Sequence, residues 1–451
     1  MLSILKTESE IKVFLISVLI TSIVIGAYMY CTSFLYIAVA LVLCLSIIAK
    51  TPAQSIIPLA IVIPWGAEIW NIAHPRLYTI MRLSLVIIFL FKTYRSYKRV
   101  NSANVIQSII IFLFYCIIIE FVRFPEKADI MMLINICLCF YVVFLFSRFC
   151  SASDYSLISL AFGLGVSCSA VIALVSPLVP NLFYVVQQMV QTDNTFGNGD
   201  IETGRFSAMT YDPNLFGMFV ICALSSCLLA MKQKNFENSV WLLLTTVLLS
   251  VFGMLTLSKT FFLVFVILML FYIHIVYKDK NISVKTKIVF SFVLRVIVVL
   301  GLSELAFYLD AIVGRFTSSM GDMSSLTTNR SDLWDYYLNY MFDKIDVLIF
   351  GNSIVGRLGA MSTPHNMIIY CLFYLGIIGC AIFLSMMVSI YKSNKRFHGA
   401  ILKGSTVWLP LFFFFFYSMS IDCIFMHEVN MVILSICFSA LYIRDYDLRK
   451  F

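Results

Sequence analysis

Apolar runs long enough to cross a membrane recur along the whole chain, and short polar turns separate them. An α-helix of about 20 apolar residues spans the hydrocarbon core of a bilayer. The pattern therefore predicts an all-α polytopic membrane protein with about 12–14 transmembrane helices. The fourth run is short, and the ninth and tenth are nearly continuous. The expected spans are 11–31, 34–49, 53–70, 78–91, 104–122, 129–147, 155–178, 214–231, 239–257, 260–277, 287–309, 365–391, 405–424 and 428–443.

Two polar segments are too long to be simple turns. They cover 179–213 and 310–364, and each collects acidic, basic and polar residues. Long loops between spans commonly carry function or cover a site, so we expect two large extracytoplasmic loops. They divide the chain into N-terminal transmembrane helices over 1–178, a catalytic core over 179–391 and C-terminal transmembrane helices over 392–451.

The composition supports the membrane assignment. The chain is 61% hydrophobic and 12% charged, whereas a soluble chain carries about 25% charged residues. Its thirteen cysteines lie in apolar runs or at their edges without a C-x-x-C pair, which is typical of small apolar side chains that pack between helices. The first apolar run is too long for the core of a signal peptide, so we expect it to remain as the first span.

The distribution of basic residues predicts the topology and argues against nucleic acid as a partner. The net charge is +8, but most of the 32 Lys and Arg residues lie in short turns between apolar runs. If the N-terminus is cytoplasmic, most of these residues fall on the inner side, as the positive-inside rule requires. Both termini are therefore expected to be cytoplasmic.

The first two of four polar motifs lie where spans are expected to begin. In GRFSAMTYDPN, Arg205 lies in the first loop, and Asp212 suits the cap of a helix that starts at the following proline, just before Asn214. A capped helix start explains the Asp-Pro-Asn run without any function, but it does not explain the arginine. In LTLSKTFF, Ser258 and Lys259 form either a tight turn with a snorkelling lysine or a cation directed at an anionic ligand.

The second loop contains an amphipathic stretch, RSDLWDYYLNYM, whose spacing predicts a helix. Arg330 opens this stretch, either to form an ion pair with a nearby carboxylate or to bind phosphate oxygens through its planar fork. Arg315 lies earlier in the same loop and competes with Arg330 as the functional arginine of the loop. Four residues can share the apolar face: Leu333, Trp334, Tyr337 and Met341.

The fourth motif, STPHNMIIYCLFYLGIIG, opens a membrane-length apolar run with a histidine. Thr363 and Pro364 are expected to cap and start the helix, which would place His365 and Asn366 in its first turn. The positive end of the helix dipole disfavours an imidazolium there, so a neutral histidine could accept a proton. The plainer alternative is an interfacial histidine that hydrogen-bonds a neighbouring loop.

In this order, the four motifs resemble those of the O-antigen polymerase and O-antigen ligase superfamily of bacterial inner membranes. The resemblance covers roughly residues 200 to 380. Ala208 stands where the family often has glycine, and Lys259 replaces an arginine. Two further glycines, Gly376 and Gly379, are expected to let neighbouring helices approach closely. The matching residues are Arg205 with Pro213 and Asn214, Ser258 with Lys259, Arg330 with Trp334, and His365 and Asn366 with the two glycines.

The resemblance implies a glycosyltransferase that acts on the periplasmic face of the inner membrane without a metal or other cofactor. The reading it favours is a Wzy-type polymerase that joins repeat units of O-antigen or capsule. Its expected partners are an undecaprenyl-diphosphate-linked glycan, membrane lipid and a chain-length regulator protein. From the resemblance we expect catalytic roles for His365, Arg330 and Arg205, and substrate binding by Lys259, Arg315, Asn366, Asn214 and Trp334.

Two alternatives remain open at this point. The first is an O-antigen ligase that transfers glycan to lipid A–core. The second is a lipid-linked oligosaccharide flippase or another transporter, a class that usually places ionisable groups near mid-membrane and contains repeats. Here the main candidates for such groups, Arg295 and Glu304, lie in one span, and no repeat is evident. The sequence lacks the P-loop, the G-x-S-x-G motif, the H-E-x-x-H motif and His/Cys clusters at metal spacing.

Overall fold

The chain is helical throughout the part that the computed structural model describes, and this part contains no strand. It comprises residues 8–96, 102–126, 128–182, 206–210, 212–233, 240–278, 330–354, 363–398, 407–421, 424–426 and 429–442. The helices are α1 (Glu8–Met29), α2 (Phe34–Ile48), α3 (Ala53–Trp65), α4 (Ala67–Asn71), α5 (Leu77–Ser96), α6 (Ala103–Arg123), α7 (Ile130–Phe149), α8 (Ala152–Val175), α9 (Pro213–Gln233), α10 (Val240–Met254), α11 (Lys259–Lys278), α12 (Arg330–Asp343), α13 (Ile345–Phe350), α14 (Met367–His398), α15 (Leu409–Ser418) and α16 (Val429–Ala440).

Seven of these helices are long and apolar enough to cross a membrane, namely α1, α5, α6, α7, α8, α9 and α14. Six further apolar helices, α2, α3, α10, α11, α15 and α16, coincide with other predicted spans. The prediction of an all-α chain with membrane-length helices is therefore confirmed for the described residues. The predicted span 287–309, with its two ionisable residues, lies outside them. Helix α15 has 10 residues and covers only about 15 Å, so its length alone does not make it a span.

Helices α8 and α9 form the centre of the bundle. In α9, 94% of the residues of the membrane-length apolar stretch are buried, and in α8 the share is 78%. Helix α9 packs against α8, α10, α11 and α15. Small residues permit close approach, because a Cβ atom on Gly165 of α8 would lie only 2.5 Å from the carbonyl oxygen of Ile61. Such contacts are typical of helix packing in membranes.

Helix α14 is broken at Gly376, which has φ 67° and ψ 177°. Gly351, directly after α13, also has a positive φ, of 82°, and the two glycines pack backbone to backbone. A Cβ atom on Gly376 would lie 2.5 Å from the carbonyl oxygen of Ile349, and one on Gly379 would collide with the ring of Tyr115 on α6. The close approach predicted at Gly376 and Gly379 is confirmed, and the break at Gly376 is an additional feature that the sequence does not predict.

A second, smaller core lies apart from the main one. It joins α12 and α13 to the part of α14 that precedes the break. Leu333 and Trp334 pack against this core, so the predicted apolar face of α12 is confirmed. We call residues 330–354, which include α12 and α13, together with residues 363–375 the satellite unit. Its buried members are Tyr337, Met341, Val347, Ile369, Phe373 and Tyr374.

Candidate functional site

The satellite unit brings the arginine motif and the histidine motif together. Trp334 on α12 donates a hydrogen bond from Nε1 to the carbonyl oxygen of Pro364, at 2.8 Å. The indole thereby fixes the backbone directly before His365. Arg330 is the first residue of α12 and lies one helical turn before Trp334, on the same side of the helix. The segments that carry Arg330 and His365 are therefore joined through this one hydrogen bond.

His365 lies just outside α14 rather than in its first turn, so the predicted helix start is wrong. Its φ of 48° is left-handed, a conformation that histidine adopts more readily than most residues. The cap is Asn366, whose Oδ1 accepts hydrogen bonds from the backbone nitrogens of Ile368 at 3.0 Å and Ile369 at 3.3 Å. The Thr-Pro pair does not start the helix, because the chain first turns at His365 and the asparagine then satisfies the free N–H groups. Asn366 therefore has a structural role, and its contact with substrate stays a prediction.

The starts of α9 and α11 form a second polar cluster. Ser258 Oγ donates to Asn214 Oδ1 at 2.9 Å, and Asp212 Oδ1 accepts from the backbone nitrogen of Asn214 at 2.7 Å. Asp212 therefore caps α9, and a proline is its first residue, as predicted. Ser258 Oγ also accepts from the backbone nitrogen of Phe261 at 3.3 Å, so it caps α11, whose first residue is Lys259.

A tight turn over 255–258 separates α10 from α11, although the two apolar runs are nearly continuous in sequence. Leu257 adopts a left-handed φ of 49° in this turn. The backbone nitrogen of Phe206 donates to the carbonyl oxygen of Leu255 at 3.2 Å, which ties residues 206–210 to the turn. Lys259 is partly exposed directly after the turn, and the bond between Ser258 and Asn214 holds it beside the start of α9. The arginines predicted at 205 and 315 lie outside the described residues, so their roles stay predictions.

Both clusters lie at one end of the bundle, which we call the site end. Tyr417, in the last turn of α15, lies against Gly217 in the first turns of α9. Phe425, between α15 and α16, has its ring centroid 5.9 Å from that of Tyr370 in the first turn of α14. Tyr417 therefore contacts the helix that begins at the Asn214–Ser258 cluster, and Phe425 contacts the satellite unit.

Sequence reasoning missed a buried carboxylate on α6 at the site end. Glu120 is 0% exposed. It accepts hydrogen bonds from the backbone nitrogen of Asp129 at 3.3 Å and from the hydroxyl of Ser353. A carboxylate inside a membrane-length run is costly unless it is partnered. The single acidic residue in IIIFLFYCIIIEFVR was therefore the signal that could have found this contact between α6 and the satellite unit.

Arg123, one turn further along α6, holds α13 in place. Its Nη1 lies 2.6 Å from Asp346 Oδ2, and its Nε donates to the carbonyl oxygen of Gly351 at 3.1 Å. The hydrogen bond from Arg123 lowers the pKa of Asp346 below its ordinary value. The hydrogen bond with the Tyr340 hydroxyl raises the pKa of Lys344. Both groups therefore stay charged near neutral pH, although their exposure keeps the contribution of each pair to stability small.

Replacing Ser258 by alanine should destabilise the protein by about 1–2 kcal/mol, because it removes the cap of α11 and the bond to α9 together. The change in unfolding temperature of the purified protein in detergent measures this effect. Ser22→Ala is the matched control, since the exposed Ser22 hydroxyl bonds only the carbonyl oxygen of Val18 within its own helix. Equal unfolding temperatures for the two variants would mean that the Ser258 bonds do not stabilise the helix pair.

The candidate site thus consists of residues from two polar clusters. One holds Arg330, Trp334 and His365, and the other holds Asn214, Ser258 and Lys259. Within the described ranges, no group of three or more His, Cys, Asp or Glu residues is placed to hold a metal ion. No family model, no curated protein and no solved structure matches this chain.

Proposed function

We propose that this chain is a membrane glycosyltransferase that polymerises polyprenyl-diphosphate-linked oligosaccharide repeat units into O-antigen or capsular polysaccharide. The observation that carries the proposal is the hydrogen bond from Trp334 to Pro364. It joins the segments that carry Arg330 and His365, which are 35 positions apart in the sequence, beside a bundle of membrane-length helices. A cation and a potential base beside a bilayer match the needs of transfer from a lipid diphosphate.

The proposed reaction forms one glycosidic bond and breaks one glycosyl–phosphate bond. A hydroxyl of the acceptor repeat unit attacks the anomeric carbon of the donor glycan, and polyprenyl diphosphate leaves. His365 takes the proton of the attacking hydroxyl as general base. Arg330 binds the diphosphate oxygens through its planar fork and stabilises the charge that develops on them. Lys259 supplies a second, less directional cation at the start of α11.

The proposed setting is the inner membrane of a bacterium, with about 12–14 spans, both termini in the cytoplasm and the site end in the periplasm. The orientation of the proposal rests on the distribution of basic residues. The common position of the starts of α9 and α11 fits alternating crossings, with the 15 residues of α10 as the proposed intervening crossing. The lipid tail of the donor would lie along the apolar outer faces of the helices, and its diphosphate would reach the polar clusters at the site end.

Incubation of the purified protein with a synthetic undecaprenyl-diphosphate-linked repeat unit tests the proposal. We expect a ladder of products that grow by one repeat unit, together with release of undecaprenyl diphosphate. A parallel reaction that also contains lipid A–core distinguishes the ligase. Glycan transfer only to lipid A–core would replace polymerase by ligase, and absence of both products with a folded protein would overturn the glycosyltransferase assignment.

A further inference from the structure

A single tyrosine hydroxyl lies where two helix ends of the satellite unit meet α6. Tyr115 Oη is 2.8 Å from the carbonyl oxygen of Phe350, the last residue of α13. It is also 2.8 Å from the carbonyl oxygen of Leu375, the last residue of α14 before the break. A three-centre hydrogen bond of this kind lets one proton serve both carbonyls. Tyr115 thus contacts both helix ends at the same point.

The backbone around this point leaves no room for a side chain at Gly351 or Gly376. Gly351 and Gly376 both have positive φ, and a Cβ atom on Gly351 would lie 2.5 Å from the carbonyl oxygen of Tyr374. The backbone nitrogen of Asn352 donates to the carbonyl oxygen of Phe373 at 2.8 Å. The segment after α13 is therefore inserted into the break of α14, where it supplies a donor to a carbonyl near the broken end.

The satellite unit has its own hydrophobic core, so its position relative to the main bundle depends on the contacts at its boundary. Apolar side chains of the unit also pack against the main core, among them Met367, Tyr370 and Leu375. Its described polar contacts with α6 comprise the Tyr115 hydroxyl, the bonds of Arg123 to Asp346 and Gly351, and the bond between Glu120 and Ser353. Of these, only Tyr115 contacts α13 and α14 at once. The pair of Arg123 with Asp346 is half exposed and therefore contributes little.

From this geometry we infer that Tyr115 is a positioning residue, which holds the satellite unit against α6 and so fixes the place of Arg330 and His365 at the site end. This inference rests on the proposed function for the role of those two residues. It adds that α6, which carries none of the four motifs, sets the alignment of the catalytic groups. A misplacement of reacting groups by about 1 Å lowers rates by roughly a hundredfold. A small displacement of the satellite unit is therefore sufficient to lower the rate of transfer.

The test is Tyr115→Phe, which removes the hydroxyl but keeps the ring beside Gly379. The matched control is Tyr442→Phe, which removes a tyrosine–carbonyl bond of 3.1 Å to Tyr391, in the part of α14 beyond the break. Amide hydrogen exchange of the purified proteins is measured by mass spectrometry over 345–354 and 367–377. We expect roughly three- to tenfold faster exchange there in Tyr115→Phe, as the loss of one hydrogen bond predicts, and no change there in the control. Unchanged exchange over 152–175 shows that the bundle is intact.

Polymerisation by the same preparations supplies the second readout. We expect kcat to fall roughly tenfold or more in Tyr115→Phe, with a smaller change in KM for the lipid-linked donor, because the groups that contact substrate are still present. Wild-type exchange in Tyr115→Phe would overturn the inference, and so would faster exchange with an unchanged kcat. A wild-type protein that makes no polymer would contradict the proposed function, whereas the exchange comparison would still decide whether Tyr115 holds the unit.

Discussion

Replacing His365 by alanine should lower the rate of polymer formation by roughly a hundredfold or more, the contribution expected of a general base. The side chain is partly exposed, and Trp334 fixes the backbone carbonyl of Pro364 directly before it, so the imidazole is accessible from a fixed backbone. The initial rate of repeat-unit transfer by purified protein, with the unfolding temperature as a check on folding, measures the effect.

The left-handed backbone of His365 calls for a second substitution. Alanine is strained at a φ of 48°, at a cost of about 1 kcal/mol, whereas asparagine tolerates this region. His365→Asn therefore removes the imidazole while it keeps the turn. If the imidazole accepts the proton, both variants lose roughly a hundredfold or more in rate. An active His365→Asn would show that the turn matters and that the imidazole does not act as the base. His274→Ala, at an exposed histidine of α11, serves as the control for loss of a histidine elsewhere and should keep the wild-type rate.

The positions of the helices, the cap of α9 and the buried face of α12 can be predicted from short-range sequence patterns. Asp212 before proline specified the start of α9, and the spacing of Leu333, Trp334, Tyr337 and Met341 specified the buried face of α12. These predictions were accessible because capping and helical periodicity depend on residues within one or two turns. The same holds for the apolar runs, since the length of each run is read directly from the sequence.

The start of α14 shows where local reasoning fails. Thr-Pro and Asn366 are both good start signals, and the sequence offers no reason to choose the later one. The choice depends on Trp334, some 30 positions away, which binds the Pro364 carbonyl and holds the chain in a turn before the helix. A tertiary contact therefore decided between two locally acceptable caps.

The candidate site was predicted as a set of motifs but not as an arrangement. Ser258 and Asn214 were singled out separately, and only the structure joins them across 44 positions. The sequence does not indicate a role for Tyr115, because a single tyrosine is common in an apolar run. Gly376 was expected to permit close helix packing, yet its positive φ depends on the chain that enters the break from α13.

Replacing Gly376 by alanine should destabilise the satellite unit by roughly 3 kcal/mol or more. With φ 67° and ψ 177°, Gly376 lies in a region that only glycine adopts readily, which costs another residue about 1–3 kcal/mol. Overpacking a closed site costs about 1–3 kcal/mol further. The new Cβ would lie 2.5 Å from the carbonyl oxygen of Ile349 and would also strike the backbone of Gly351. Because these neighbours are main-chain atoms, they cannot move aside by a rotamer change, and the segment after α13 must leave the break.

We therefore expect Gly376→Ala to speed hydrogen exchange over 345–354 and 367–377 and to lower the unfolding temperature. Gly26→Ala is the matched control, since its Cβ would meet only a ring carbon of Phe34 at 3.8 Å, an ordinary contact. If the two variants behaved alike, the backbone of α14 would tolerate a side chain at the break, and the inserted segment would not hold the satellite unit. Because the break positions the same unit that carries Arg330 and His365, Gly376→Ala should also abolish polymer formation without altering any group that contacts the substrate.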